Sequence, residues 1–209
     1  MFTGQRRNGQ DTELIRRTTT TFNDPLKWAR NPQRYSHIHK VFICSWSDFL
    51  IADADEWRSE AWEIIRGTAQ LTYQILTKRP ILIHRLLPAD WGSAWPNCWL
   101  GVTVESRDYL GRLDFLRQLP AAIRFASFEP VLEDLGDIDL RGIHWAIRGG
   151  ESGPGMRPCP PDWIVHLVEQ CAAASVACFV KQGSAFRPGQ QGRLPDRIWA
   201  VRQFPLVAQ

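Results

Sequence analysis

Polar residues stand directly after several short apolar runs of this sequence, and they are the residues whose types and spacing could do chemistry. The clearest case is the stretch 143–155, in which an apolar run leads into Gly149, Gly150, Glu151 and Ser152. Glycines allow a backbone to come close to another group, while a carboxylate and a hydroxyl can bind a ligand. The stretch therefore predicts a buried strand that delivers a binding loop.

The same arrangement recurs after the other apolar runs. The predicted ligand-binding residues are Ser45, Asp48, Thr77, Lys78, Glu105, Glu129, Gly149, Gly150, Glu151, Ser152, Lys181 and Gln182. Ionised groups that are crowded at a half-buried place are costly unless they are paired or liganded. We therefore predict one common ligand site, and the alternative is a salt-bridge network that only fixes loops.

The glycine loop itself has two interpretations. Gly149 and Gly150 could let a phosphate or another ligand approach backbone N–H groups, or they could be needed for a tight turn with positive φ. The loop lacks the lysine and the spacing of a P-loop. It also lies far from the first βα unit, where the Gly-x-Gly-x-x-Gly fingerprint of dinucleotide-binding folds occurs.

Apolar runs alternate with amphipathic segments along most of the chain. The predicted strands are 41–44, 71–76, 98–102, 123–126, 143–148 and 176–180, and the predicted helices are 25–30, 53–66, 81–87, one behind Ser106 and one from Pro160. Asp53 or Asp55 is predicted to cap one helix, and Ser106 another. Continuous apolar strands alternating with helices are typical of parallel strands covered by helices.

This pattern predicts an α/β fold, either a partial or closed TIM-like (β/α) barrel or an open doubly wound sheet. In both architectures, ligands bind at the carboxyl ends of the strands. Residues 41–209 are predicted to form this domain. Residues 1–40 are polar, basic and rich in threonine, and outside the helix 25–30 they are predicted to be a loop or arm that is solvated or touches nucleic acid. A strand or helix is predicted at 198–201.

Bulk properties exclude several classes. A net charge of +3 is too mild to argue for nucleic-acid binding by itself, and no apolar run approaches the length of a membrane span. The five cysteines are scattered, which favours a reducing cytoplasm over a disulfide framework. Cys171 and Cys178 are better explained by packing than by zinc, and no catalytic serine, histidine and aspartate stand out.

Five ordered segments carry a family resemblance. They are Phe42-Ile43-Cys44-Ser45-Trp46-Ser47-Asp48-Phe49, Tyr73-Gln74-Ile75-Leu76-Thr77-Lys78-Arg79-Pro80, Trp99-Leu100-Gly101-Val102-Thr103-Val104-Glu105, Gly149-Gly150-Glu151-Ser152-Gly153-Pro154-Gly155 and Phe179-Val180-Lys181-Gln182. Together they closely resemble the phage-associated family of uncharacterised proteins labelled gene product thirty-seven / sixty-eight. That family looks like a radical S-adenosylmethionine (SAM) barrel, so the resemblance implies this fold and a cytoplasmic phage-associated protein.

The departure from that family concerns its cofactors. Its members typically carry an amino-terminal Cys-x-x-x-Cys-x-x-Cys segment that resembles the ligand set of a [4Fe–4S] cluster, which in turn binds SAM. Here the first cysteine is Cys44, on what would be the second strand of the family. We therefore expect the chain to lack the first βα unit, to hold no cluster and to have no radical activity. A Gly-Gly-Glu loop in radical SAM enzymes lies early in the barrel, so its role does not transfer to Glu151.

Three functions are consistent with these observations. The first is a radical-SAM-like barrel of unknown substrate that is not radical-active in this form, with SAM and the cluster expected only in full-length relatives. The second is a non-catalytic module that binds a small molecule, a nucleotide or nucleic acid, suggested by Lys78, Arg79 and Lys181. The third is a truncated fragment. No membrane partner and no metal site are expected.

Overall fold

The apolar runs of the sequence form strands whose order in the sheet follows the chain. The structure, a computed structural model, describes residues 2–7, 10–45 and 47–206. Its elements are β1 (Phe2–Arg7), β2 (Gln10–Arg17), α1 (Asp24–Arg30), β3 (Lys40–Ile43), α2 (Asp55–Gly67), β4 (Thr72–Thr77), α3 (Pro80–Leu86), β5 (Cys98–Thr103), α4 (Arg112–Arg117), β6 (Ile123–Phe128), β7 (Trp145–Gly149), α5 (Pro161–Ala173), β8 (Ala177–Gln182) and α6 (Asp196–Trp199).

The sheet topology confirms the prediction of an α/β fold with parallel strands. Six strands form one sheet in the order β3-β4-β5-β6-β7-β8, and the pairs β3–β4, β6–β7 and β7–β8 are parallel. A doubly wound sheet reverses its strand order at a switch point, whereas a (β/α) barrel keeps the order of the chain. The observed order is therefore the one that a partial barrel requires, with β3 and β8 at its two ends.

Contacts divide the chain into two compact units. The first comprises Met1–Leu100 with Pro120–Ala122, and the second comprises Gly101–Leu119 with Ile123–Gln209. Strand β5 contributes residues to both. Among the described residues, no helix has both the length and the apolar character needed to cross a membrane.

The amino-terminal residues are more ordered than their polar composition predicts. Strands β1 and β2 pair antiparallel, with Phe2 opposite Arg17 and Arg7 opposite Gln10. The prediction of a loop or arm outside the helix is therefore wrong for these strands. The sequence between the two strands is Asn8-Gly9, a dipeptide that favours two-residue hairpin turns, so a local signal for this pairing is present in the sequence. Helix α1 confirms the predicted helix 25–30.

The predicted helix caps are not formed by side chains. Residues Ala52–Ala54 form a short 3₁₀ helix that includes Asp53, and Asp55 is already inside α2, where it pairs with Arg58. Ser106 precedes another short 3₁₀ helix and makes no capping hydrogen bond. In both places a 3₁₀ turn continues into the following segment, which removes the need for a side-chain cap. The last predicted element, at 198–201, is the short helix α6.

An aromatic cluster fills much of the first unit. The ring of Trp62 lies 4.9 Å from Phe49 and 5.8 Å from Trp91, centroid to centroid, and meets both edge to face. Trp62 also donates from its indole nitrogen to the carbonyl oxygen of Leu86 at the end of α3. Such contacts combine a large buried apolar area with a satisfied polar group. They fix α2 and α3 behind the strand ends of this unit.

In the second unit, one glycine is required by packing. Gly101 in β5 lies against the fully buried ring of Phe125 in β6, and a Cβ atom at position 101 would overlap with three carbon atoms of that ring. Real Cβ atoms essentially never approach another heavy atom so closely, and a buried aromatic ring has no free space into which to move. The absence of a side chain at this position therefore lets β5 and β6 pack.

This contact generates a stability prediction. Gly101→Ala is expected to lower the free energy of unfolding by about 1–3 kcal/mol, because the added methyl group overpacks the site. Urea denaturation followed by tryptophan fluorescence would measure the change. Gly67→Ala is the matched control, since a Cβ atom at Gly67 would have no atom within 4 Å. We expect the control to be neutral or stabilising by up to about 1 kcal/mol. Equal effects of both substitutions would contradict the packing argument.

Candidate functional site

In the first unit, the carboxylate of Asp48 joins the loop after β3 to the end of β4. Its Oδ1 accepts hydrogen bonds from the backbone nitrogen of Leu50 at 2.9 Å and from the hydroxyl of Thr77 at 2.8 Å. Its Oδ2 accepts from the backbone nitrogen of Lys78 and from Arg79 Nη1, both at 2.9 Å. The structure therefore brings three of the predicted site residues together, and the carboxylate oxygens are already engaged by protein donors.

The residues around Asp48 differ in their exposure to solvent. Asp48 and Thr77 are buried, whereas the side chains of Lys78 and Arg79 are exposed. Ser45 is exposed in the turn after β3. The neighbouring Ser47 has a buried hydroxyl oxygen with no hydrogen-bond partner among the described residues. Trp46, between these serines, lies outside the described residues. The first unit thus has the exposed side chains of Lys78 and Arg79 next to the buried carboxylate of Asp48, whose oxygens already accept hydrogen bonds from the protein.

In the second unit, an ion pair spans the ends of β6 and β8. Glu129, the first residue after β6, accepts from the ammonium of Lys181 at 3.0 Å. The Glu129 side chain is 14% exposed and that of Lys181 is 56% exposed. Strand β7 lies between β6 and β8 in the sheet. The pair therefore crosses over the end of β7.

Gly149 makes this crossing possible. A Cβ atom at position 149 would lie 3.2 Å from Glu129 Oε1 and 3.1 Å from the Gln182 side chain. A side chain at this position would therefore compete for space with the carboxylate of Glu129. The glycine leaves the end of β7 bare beneath the ion pair.

A register shift in β8 determines where Lys181 points. Arg148 of β7 pairs with Val180, but the next residue, Gly149, pairs with Gln182. Lys181 is therefore the extra residue of an irregularity that resembles a β-bulge. Bulges re-aim side chains and are frequent near functional sites. Here the irregularity accompanies an exposed Lys181 between the buried residues Val180 and Gln182.

Gly149 and Gly150 do not form a tight turn with positive φ, which was one of the two interpretations of this loop. Positive φ occurs later in the loop, at Gly153 and Gly155, and not at Gly149 or Gly150. A Cβ atom at Gly150 would lie 2.6 Å from the backbone nitrogen of Ser184. The segment after β8 therefore packs directly against Gly150. Whether a ligand also approaches this backbone stays a prediction.

Gln182 connects the two loops of this region. Its side-chain nitrogen donates to the carbonyl oxygen of Gly150 at 2.8 Å, and its side-chain oxygen accepts from the backbone nitrogen of Gly189 at 2.9 Å. Ser152 forms an isolated bridge with Ala185. The Gln182 side chain is thus fully used in holding the loops, which indicates a positioning role.

The other two carboxylates that follow strands are paired with arginines. Glu105, after β5, lies 2.9 Å from Arg112 Nη1, and both side chains are largely buried. Glu151, after β7, accepts from Arg157 Nε and Nη2, both at 2.8 Å, and from the backbone nitrogen of Arg157 at 2.7 Å. These contacts lower the pKa of Glu151 to about 2, chiefly through the side-chain hydrogen bond from Arg157.

Neither arginine was among the predicted site residues, whereas Glu129 pairs with Lys181, which was. Arg112 stands at the start of α4 and Arg157 in the loop before α5, so neither follows an apolar run. Two of the paired cations are more than half exposed, Lys181 at 56% and Arg157 at 58%, whereas Arg112 is 15% exposed. Arg157 holds Glu151 through three hydrogen bonds, while Lys181 meets Glu129 at a single distance of 3.0 Å. The convergence of all strand ends on one site stays a prediction.

The described residues do not provide the ligand set of an iron–sulfur cluster. No group of three or more histidine, cysteine, aspartate or glutamate side chains is arranged to hold a metal ion in the described ranges. The five cysteines are free thiols, and four of them are buried. A [4Fe–4S] cluster needs three or four thiolates around one cavity. These residues therefore do not fit that group.

Comparison with known proteins gives one match. A sequence model of a family described as protein of unknown function (DUF5131) matches residues 3–200, which is nearly the whole chain. No curated protein and no solved structure matches. The description of this family names no activity.

The hydrogen bonds that the carboxylate of Asp48 accepts lead to a second prediction, about stability. Asp48→Asn is expected to reduce the free energy of unfolding by about 2–4 kcal/mol, because the amide cannot accept from all of these donors and leaves Arg79 unpaired. Chemical denaturation would measure the loss. Asp53→Asn, at an exposed position, is the control and should change stability by less than about 0.5 kcal/mol. An Asp48→Asn protein as stable as the control would show that the hydrogen bonds of Asp48 do not stabilise the fold.

The contact between Glu151 and Arg157 generates a prediction about pH. Arg157→Gln is expected to raise the pKa of Glu151 from about 2 toward its ordinary value of 4.5. A carboxyl-detected NMR titration of both proteins would measure it. Since the pKa is lower in the folded state, the pair stabilises the protein above the unfolded-state pKa, and this contribution is lost as the pH falls toward 2. Its size is small because the pair is exposed to solvent. An unchanged titration would contradict the assignment.

Proposed function

We propose that this chain, which belongs to the protein family DUF5131, binds a small zwitterionic molecule at the carboxyl ends of β6, β7 and β8. The observation that carries the proposal is the pair of Glu129 and Lys181 over the bare backbone of Gly149. The proposal extends to a partial (β/α) barrel related to radical SAM enzymes. Ligands of such barrels bind at the carboxyl ends of the strands.

The charges of this pair are complementary to an α-amino acid group. A ligand ammonium can take the place of Lys181 beside the largely buried carboxylate of Glu129, and a ligand carboxylate can bind the ammonium of Lys181. Since the side chain of Lys181 is 56% exposed and long, it can turn away from Glu129 at little cost. The existing ion pair keeps both charges compensated while the site is empty.

S-Adenosylmethionine is the first ligand to test, because its methionyl part carries this zwitterion and the sequence resembles a radical SAM family. That cofactor, bound to a cluster, supplies radical chemistry in such enzymes. Because the described residues do not fit the cluster, the proposal includes binding and orientation of the ligand and no radical step. A phage-associated setting and a cytoplasmic location belong to the same proposal, and the free thiols support the latter.

A second candidate is a module that binds a nucleotide or nucleic acid. The exposed side chains of Lys78 and Arg79 at the end of β4 favour it. Phosphate binding by such groups depends steeply on salt, whereas recognition of a zwitterion depends on salt only weakly because its net charge is zero. The salt dependence of binding therefore distinguishes the two candidates.

The test is isothermal titration calorimetry with S-adenosylmethionine, S-adenosylhomocysteine and ATP at two salt concentrations. We expect the two adenosyl amino acids to bind, and Lys181→Gln to weaken both at least about 10-fold through loss of one charge-assisted hydrogen bond. Arg193→Gln, which removes an exposed cation of the same unit outside this pair, is the control and should bind normally.

The outcomes separate the candidates. Binding of ATP alone with a steep salt dependence would favour the nucleotide module. Binding of none of the three ligands, or equal affinities of the Lys181→Gln protein and wild type, would overturn the proposed site. Near-native thermal unfolding of the Lys181→Gln protein is required for the comparison and is expected, because its side chain is more than half exposed.

A further inference from the structure

Strand β7 carries a charged residue that is entirely buried. Arg148 has no exposed surface, although its side chain is charged and its neighbours in the strand are apolar. Its Nε donates to the sulfur of Cys178 at 3.1 Å, and its Nη2 donates to the sulfur of Cys171 at 2.7 Å. Its Nη1 is buried with no hydrogen-bond partner among the described residues. The guanidinium also lies 5.3 Å from the ring centre of Phe128.

Charge balance assigns a role to these sulfurs. The guanidinium of arginine is protonated at every pH at which proteins fold, and a buried ion requires a counter-charge. The hydrogen-bond acceptors of Arg148 in the described part of the chain are the sulfurs of Cys171 and Cys178, and no carboxylate contacts it. One sulfur must therefore be a thiolate to balance the guanidinium inside the core.

Cys178 is the better candidate for the negative charge. A side-chain hydrogen bond with Cys171 lowers the pKa of Cys178, and the charge of Arg148 acts in the same direction. The same bond and burial raise the pKa of Cys171. A thiolate beside a thiol is the arrangement found in oxidisable dithiol pairs, in which one sulfur attacks and the other resolves.

We propose that Cys178 is a peroxide-reactive thiolate held by Arg148, and that Cys171 is its resolving thiol. Two adjacent nitrogens of one guanidinium hold the two sulfurs side by side, one on α5 and one on β8. This modification site is independent of the proposed ligand site, because it uses none of the residues that bind the ligand.

The chemistry balances with hydrogen peroxide as the oxidant. The Cys178 thiolate attacks one peroxide oxygen, the O–O bond breaks, and the leaving hydroxide takes up a proton to become water, which leaves a sulfenic acid on Cys178. The Cys171 sulfur then attacks the Cys178 sulfur, an S–S bond forms, and the sulfenic hydroxyl leaves as water with the thiol proton. The two thiol sulfurs are oxidised by two electrons and one peroxide is reduced to two waters.

Two other cysteines serve as internal comparators. Burial raises the pKa of Cys98 to about 12 and that of Cys159 to about 11. Cys159 is more exposed than Cys178, so it would react first if access governed the reaction. If the thiolate governs it, Cys178 reacts first although it is buried, since peroxide is small and ionisation determines nucleophilicity.

The experiment is oxidation of the full chain by hydrogen peroxide at neutral pH, followed by quenching, alkylation under denaturing conditions and peptide mass mapping. Cys171 and Cys178 lie on one proteolytic peptide. We expect this peptide to escape alkylation at both of these cysteines and to carry an internal disulfide, while Cys98 and Cys159 are alkylated. In Cys171→Ser we expect a sulfenic acid on Cys178, which dimedone traps. Oxidation of Cys159 with reduced Cys178, or no reaction of either, would overturn the proposal.

Arg148→Met tests the role of the guanidinium. It removes the charge and keeps an apolar side chain of similar length, so the core can accept it. Cys178 is then expected to react at least about 10-fold more slowly at neutral pH, because its thiol becomes an ordinary buried thiol. A circular dichroism melt confirms folding of the variant. An unchanged rate in a folded Arg148→Met protein would exclude the guanidinium as the activating group, and with it the proposal.

Discussion

A fully buried guanidinium in a parallel strand is the constraint on which the second unit depends. The guanidinium of Arg148 has no exposed surface, so the surrounding side chains must supply its acceptors and its counter-charge. Cys171 on α5 and Cys178 on β8 do so, and the ring of Phe128 at the end of β6 lies beside it. One charged group thus fixes a helix and two neighbouring strands around β7.

The same strand then ends in a residue without a side chain. After the buried Arg148, the chain continues into Gly149, and the ion pair of Glu129 with Lys181 passes over that position. The shift in the register of β8 occurs at this step, between the partners of Arg148 and Gly149. Along β7, the buried charge of Arg148 is followed by Gly149, which has no side chain, and then by the exposed ion pair of Glu129 with Lys181. The candidate site lies at this ion pair, at the carboxyl end of the strand.

Charge pairing distinguishes the predicted site residues from one another. Asp48 and Glu151 accept from several protein donors each, and Glu105 pairs with the largely buried Arg112, so these carboxylates position loops and helices. Glu129 binds the ammonium of an exposed and flexible lysine. Since flexible surface pairs exchange partners readily, this pair is the one that a ligand can open. The carboxylates of Asp48, Glu105 and Glu151 thus correspond to the salt-bridge network considered from the sequence. The carboxylate of Glu129 corresponds to the proposed ligand site.

Local sequence alone predicted the α/β class, the sheet strands within a few residues and the helix positions, because apolar runs and amphipathic periods are local properties of a chain. The strands β1 and β2 were not predicted, although the dipeptide Asn8-Gly9 stands between them in the sequence. The caps predicted at Asp53 or Asp55 and at Ser106 are absent, because 3₁₀ turns occur there instead. The partners Arg112 and Arg157 lie outside the strand ends, and no sequence pattern indicated them.

The sequence determined which residues follow the strands, whereas tertiary structure alone decided which charges meet and which remain accessible. Arg148 shows the difference most clearly. The sequence shows that a charged residue stands within an apolar strand, but only the packing of α5 and β8 against that strand determines which groups accept its hydrogen bonds. Ion pairs and thiol pairs form between residues distant in sequence, and their strength depends on burial, which is a property of the folded chain.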